Sequence, residues 1–231
     1  GMRFSNAYCP SPVCTPSRAS IQFGKTTARV GCISIHDVVM NKRQVDMTKN
    51  LSIAEMLKEA GKDYVTAFFG KGCTPMHWFK DHGYDETDFI HKHPNGNAHG
   101  DWWEPAKRTP IPADDPKRVF SLAKSSVGFL EERAEDKKPF YLMISHYALH
   151  VRNTSLKSTR EKYLEIVAKE KGIQGNIPDI SKFDANADEM PKKLQPLWER
   201  ANYSAMMENM DTSIGIVLDK LRTLGLEENT Y

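Results

Sequence analysis

The chain contains no long apolar run. No segment approaches the ~20 consecutive apolar residues that a membrane-spanning helix needs, so the sequence offers no membrane span. It has no excess of one charge: 32 Lys and Arg stand against 30 Asp and Glu, a net of +2. That balance gives no reason to expect nucleic acid or an anionic membrane as partner. Its four cysteines, Cys9, Cys14, Cys32 and Cys73, include no C-x-x-C pair, so their spacing does not read as a zinc site. Three of them fall in the first 32 residues, a poor distribution for a disulfide framework. Thiols are expected instead, one of them functional. Internal repeats and low-complexity tracts are absent. The opening Gly1-Met2-Arg3-Phe4 lacks the apolar segment of a signal peptide.

What is present is a succession of short helix and strand signals. Cys9 to Val13 holds Pro10 and Pro12 and cannot be regular structure. Thr15 has the chemistry of a helix N-cap and Pro16 suits the first helical position. A helix is therefore expected from Ser17 to Phe23, stopped by Gly24, with Cys14 just before its start. Ser52 and Glu55 have capping-box spacing. Ile53, Met56 and Leu57 then give an apolar face ending at Gly61. Tyr64 to Phe69 reads as a buried strand, followed by Gly70-Lys71-Gly72. A helix over Lys117 to Ala134 would turn Val119, Leu122, Val127 and Leu130 inward. Pro139 introduces a second buried strand, Phe140 to Ser145. His150 to Lys193 is polar and receives little assignment. A last helix is marked by Tyr203, Met206, Met207, Met210, Ile214, Val217, Leu218 and Leu221, up to Gly225.

Alternating helices and strands predict an α/β domain with a largely parallel sheet. Ligands of such sheets collect at the carboxyl ends of strands. Lys71 and the His146 to His150 segment both follow candidate strands. At the first motif, a helix N-terminus offers unpaired N–H groups and the positive end of its dipole. Such a place binds anions and lowers the pKa of a thiol. Arg18, four residues after Cys14, can fold back toward that end or offer a fork of donors to an oxyanion. The plainer alternative makes Cys14 a small buried hydrophobe and Arg18 a surface residue.

Cys14-Thr15-Pro16-Ser17-Arg18, followed by Ala19-Ser20 and Gly24-Lys25, resembles the signature of type I sulfatases, the formylglycine-dependent branch of the alkaline-phosphatase superfamily. Met2 to Tyr8 resembles the family's strand-like lead-in. Leu51 to Lys71 resembles its helix, Gly-Tyr, strand and Gly-Lys sequence, and His82-Gly83-Tyr84-Asp85 its His-Gly-Phe-Asp segment. Pro139 to His150 resembles a strand ending in Tyr-x-x-Pro-His, and Tyr203 to Leu221 the late helix. The resemblance implies one partial catalytic domain over residues 1–231. Its fold would be alkaline-phosphatase-like, a mostly parallel sheet flanked by helices, incomplete at both chain ends.

The same resemblance implies a sulfuric ester hydrolase. In that family the cysteine is oxidised to formylglycine, whose aldehyde hydrate attacks the sulfur of a sulfate ester. The second hydroxyl then helps expel sulfate and regenerate the aldehyde. Carried over, Cys14 takes the formylglycine position and, once oxidised, a place among the metal ligands. Arg18 takes the role of orienting the hydrate, and Lys71 that of holding the sulfate group. His150 takes that of contacting the sulfate or the leaving oxygen, where it can act as an acid. Plainer readings are a solvated lysine for Lys71 and a loop histidine for His150. His146, at the strand end, reads as structural. Arg29, with Lys25, falls at the family's Gly-x-x-x-x-Arg and reads as a scaffold residue pairing with acidic groups. His36, His91, His93 and His99 suggest a metal cluster, but the last three share a polar loop and read as solvated. Trp102 and Trp103 either line a substrate cleft or pack.

Two departures follow. The family's Gly-Lys-Trp-His is replaced, since Gly72-Cys73 follows Lys71, and His77 is the available substitute. The family also binds calcium through oxygen ligands, from an Asp-Asp pair on a strand before the motif and an Asp-Asn or Asp-His after the late helix. The chain is expected to lack both segments and the two strands that carry them. Asp114-Asp115, beside Pro112 and Pro116, reads as surface loop and no replacement. Weak or absent activity is therefore expected of these residues alone. An open sheet edge favours cover by another chain, including a homo-oligomer. The implied partner is a small-molecule or glycan sulfate ester, and the implied location periplasmic or secreted. Two alternatives remain: a phosphonate or phosphate ester hydrolase of the same superfamily, and a non-catalytic pseudo-sulfatase fragment.

Overall fold

The computed structural model describes residues 4–34, 50–72, 82–88, 113–150, 153–173 and 191–231. His36, His77, His91, His93, His99, Cys73, Trp102 and Trp103 lie outside the described residues.

Helix α1 runs Cys14–Phe23. It begins earlier than expected: Val13, not Thr15, occupies the N-cap position, in an extended conformation. The Ser17 N–H closes the first intrahelical bond on the Val13 carbonyl at 3.2 Å. Pro16 sits comfortably in that first turn because its missing N–H has no partner to lose there. Gly24 ends the helix with φ 58°, and the Lys25 N–H returns to the Ser20 carbonyl, a left-handed closure that glycine adopts without strain. Helix α2, Thr27–Val30, follows at once.

Helix α3, Ile53–Glu59, carries the expected capping box. The Glu55 N–H donates to Ser52 Oγ at 3.1 Å and the Ser52 N–H to Glu55 Oε2 at 2.6 Å. Of its expected apolar face, Ile53 and Leu57 are half-buried, but Met56 is exposed and the fully buried residue is Ala54. The helix packs on the His82–Gly83 turn, where the Ser52 hydroxyl donates to the His82 carbonyl at 2.6 Å. A side chain on Gly83 would press into Glu55.

Three strands form a sheet in the order β2-β1-β3. They are β1 (Val65–Gly70), β2 (Glu86–Thr87) and β3 (Phe140–Ser145), and both pairings are parallel. The register runs from Val65 opposite Phe140 to Gly70 opposite Ser145, so both long strands finish at one level. Asp85 ties the β2 segment to β1, its Oδ2 accepting from the Thr66 N–H and hydroxyl, both at 2.9 Å.

Helix α4, Val119–Asp136, starts later than expected. Lys117 and Arg118 are left-handed, with φ 55° and 59°, so the α-helix cannot include them. Asp115 accepts from the Phe120 and Ser121 N–H groups and from the Ser121 hydroxyl. Asp114–Asp115 does lie in a surface turn, as expected, and from there Asp115 caps the helix. Phe129 takes the buried place expected of Val127.

Helix α5, Lys157–Glu170, occupies part of the stretch left unassigned. Helix α6, Gln195–Thr223, begins well before Tyr203. Tyr203, Met207, Ile214 and Leu218 are exposed on it, whereas Ala201, Asn202, Ala205, Asn209 and Ser213 are buried. The packed face is therefore partly polar. Asn202 accepts from the Ser155 hydroxyl, and Asn209 accepts from the Leu156 N–H at 2.9 Å. Of the expected apolar stripe, Met206 and Val217 are buried and Leu221 packs on the core, so hydrophobic periodicity finds only part of the packed face.

Alternate residues of a strand face opposite ways, and both faces of this sheet are covered. Phe68, Tyr141 and Met143 join Ala19, Phe23, Val30, Cys32, Ala54 and Tyr84 on the α1 side. Ala67, Phe69, Leu142 and Ile144 join Leu122, Phe129, Leu130 and Val217 on the α4–α6 side. The result is an α/β architecture with helices on both faces of a parallel sheet. No described helix is long and apolar enough to cross a membrane.

Candidate active site

The site is built where α1 meets the carboxyl ends of β1 and β3. Cys14 is the first residue of α1, half-buried, and no side chain caps that helix end. Amide N–H groups at an uncapped helix start suit an anion. Its Sγ lies 4.0 Å from Thr15 Oγ1. Cys9 holds a separate exposed thiol, 2.8 Å from Ser17 Oγ.

Arg18, one turn after Cys14, points across the strand ends. Its Nη1 donates to the Ser145 hydroxyl and, at 3.3 Å, to the Lys71 carbonyl. Its Nη2 reaches the His146 carbonyl at 3.5 Å. A small recess beside it is lined by Arg18, Gln22, Lys71, Met143 and Ser145, with Phe68 and Gly72. The structure thus brings Arg18 and Lys71 together, two residues 53 positions apart in sequence. Cys14 and His150 do not line this recess. His150 stands in the turn after β3, its N–H on the Tyr147 carbonyl at 3.0 Å.

Backbone contacts fix the strand ends. The Lys71 N–H donates to the Ser145 carbonyl at 2.6 Å. Gly70 has φ +106°, and a side chain there would overlap that carbonyl oxygen, so this position requires glycine. The Gly70 N–H donates to Asp88 Oδ1 at 2.7 Å. Asp88 in turn pairs with Arg118 at 2.9 Å, both side chains nearly buried. Arg118 lies over the Tyr147 ring, and burial, reinforced by the Asp88 charge, pushes the Tyr147 phenol well up.

His146 has a defined proton. The Ser213 hydroxyl donates its one hydrogen to the Val119 carbonyl at 2.8 Å. His146 Nε2, 3.2 Å from Ser213 Oγ, must therefore donate to it. Burial, and then the positive charge of Arg18, hold this imidazole below its ordinary value. A neutral ring with its N–H committed to Ser213 is a fixed structural group.

Other expected residues fall elsewhere. Lys25 donates to Asn50 Oδ1 at 2.8 Å. Arg29 is exposed on α2, and its expected pairing with acidic groups is not seen among the described residues. His82 packs edge-on against Phe23. Among the described residues no group of three or more His, Cys, Asp or Glu side chains could hold a metal ion. By themselves they do not make the oxygen cage that calcium requires.

Sequence reasoning passed over Ser145, Gln22, Asp88 and Ser213. Gln22 is buried on α1, accepting from the Tyr84 hydroxyl at 2.5 Å and donating to Met143 Sδ at 2.9 Å. For Ser145 a signal existed: a polar residue closing an apolar strand at its carboxyl end.

Helices thus cover both faces of a parallel sheet, and the helix that Cys14 opens sends Arg18 across the ends of β1 and β3. The family model described as Sulfatase matches residues 1–231, and the chain belongs to the sulfatase family. It is 28% identical to an ulvan-active sulfatase of Formosa agariphila, over 99% of this chain and 42% of that protein. It is 26% identical to the uncharacterized sulfatase YidJ of Escherichia coli, over 100% of this chain and 48% of that one. The crystal structure of Ps i-CgsB shares the fold with a TM-score of 0.60 at 18% identity, over 96% of this chain and 47% of that chain. The chain thus spans under half the length of these relatives.

Proposed function

We propose that the chain carries the nucleophile-bearing part of a sulfate ester hydrolase, with formylglycine made from Cys14 as the nucleophile. The observation behind this is the joint placement of Cys14 and Arg18. One opens α1, and the other reaches Lys71, Ser145 and His146 at the ends of β1 and β3.

In the proposed reaction one hydroxyl of the Cys14-derived hydrate loses its proton to solvent water, its oxygen attacks sulfur, and the bond from sulfur to the ester oxygen breaks. His150 gives that leaving oxygen a proton. The neutral His150 then takes the proton of the second hydroxyl while the carbon–oxygen bond to sulfate breaks. Sulfate departs, the aldehyde re-forms, and water rehydrates it. Arg18 orients the hydrate, and the Lys71 ammonium holds sulfate oxygens through charge-assisted bonds. A serine or a thiol could not regenerate itself by that route. Calcium enters this reading only with oxygen donors beyond those the described residues gather. Without such donors, turnover is expected to be weak or absent. A sulfated glycan is the favoured substrate class, supported by the ulvan-active relative.

Mass spectrometry of the peptide containing Cys14 tests the proposal. From a host with formylglycine-generating machinery, that peptide is expected about 18 Da lighter than its cysteine form. An intact thiol from such a host removes Cys14 as nucleophile.

A further inference from the structure

We propose that Ser145 is a positioning residue that aims Arg18 and Lys71 into the anion site, a role that rests on the sulfate-site reading above. Ser145 closes β3 and is 4% exposed. Its hydroxyl has one hydrogen and two lone pairs. The hydrogen goes to the Lys71 carbonyl at 2.8 Å, and a lone pair receives Arg18 Nη1. Its own carbonyl receives the Lys71 N–H at 2.6 Å. One residue therefore holds both the N–H and the C=O of Lys71, and the guanidinium of Arg18 as well.

The backbone beneath has no room to drift. Gly70 already touches the Ser145 carbonyl so closely that any side chain would overlap it. The Ser145 hydroxyl is thus a fixed point, joining α1 to the ends of β1 and β3. Replacing it with hydrogen leaves the strands paired, because the backbone bonds remain. It takes from Arg18 an acceptor and from the Lys71 carbonyl a donor, in a nearly buried place where each loss is felt. The effect reaches sulfate through Arg18 and Lys71.

The test uses the full chain, with arginine side chains isotopically labelled for NMR and inorganic sulfate as probe. Arg18 signals are assigned by their loss in Arg18→Lys. In the unaltered protein the Arg18 guanidinium protons are expected to resolve as a restrained group. In Ser145→Ala they are expected to average, and sulfate dissociation to weaken about ten-fold, the scale of one charge-assisted hydrogen bond. Thermal unfolding should hold within a few degrees. Ser145→Thr keeps the hydroxyl and should restore both readouts, which a purely packing role would not do. Unchanged Arg18 signals in Ser145→Ala would overturn the proposal, as would failure of Ser145→Thr to restore them while folded. If sulfate moves no signal in the unaltered chain but Ser145→Ala still releases Arg18, the sulfate-site reading fails and the hold of Ser145 on Arg18 stands.

Discussion

The two faces of the β1–β3 pair are built from different chemistry. On the α4–α6 side, the sheet residues Ala67, Phe69, Leu142 and Ile144 meet apolar Leu122, Phe129, Leu130 and Val217, and the buried hydroxyls there, Ser126 and Ser213, donate to carbonyls of α4. On the α1 side the core is interrupted by polar groups: Gln22 bonded to Tyr84, then Arg18 bonded to Ser145 and Lys71. Apolar burial is the main stabilising term in a fold, whereas buried polar groups must find partners to avoid a penalty. The first face stabilises the sheet. The second uses that stability to hold polar groups at the strand ends, where the proposed anion site lies.

The largest expected effect lies on the apolar face. Phe129 is buried, edge-on to Phe69 and Phe140 and beneath the Arg133 guanidinium. Phe129→Ala should cost about 3–5 kcal/mol in urea unfolding, the usual range for a buried phenylalanine. The folded fraction should keep its response to sulfate. A smaller effect is expected on the α1 face. Gln22→Leu removes an acceptor from the buried Tyr84 hydroxyl and should cost about 1–2 kcal/mol. It should also weaken sulfate binding, because Gln22 lines the recess with Arg18. Equal stability losses, with sulfate binding unaltered in both variants, would break the contrast between the faces.

What could be read from sequence follows the range of each interaction. The Ser52–Glu55 box, β1 and β3 depend on neighbours within a few residues, and the structure shows them where expected. The Cys14–Arg18 motif is equally local, though its helix starts at Cys14 itself. Helix α5 escaped because its buried side is short and includes Arg160 beside Leu164, Val167 and Ala168. The packed side of α6 was legible at Met206 and Val217 but not where asparagine, serine and alanine interleave with them. Ser145 and Gln22 acquire their importance only when β3 meets α1, a contact between segments more than 100 residues apart. The left-handed pair Lys117–Arg118 has no local signal either, since neither residue type favours that conformation.

If the strand ends beneath α1 form a sulfate-binding site, titrating the labelled chain with inorganic sulfate while following backbone amides reveals it. Shifts are expected at Cys14, Thr15, Arg18, Lys71 and Ser145, with Phe129, Leu130 and Val217 still. Shifts confined to α5 and α6, or no shift anywhere, would contradict it.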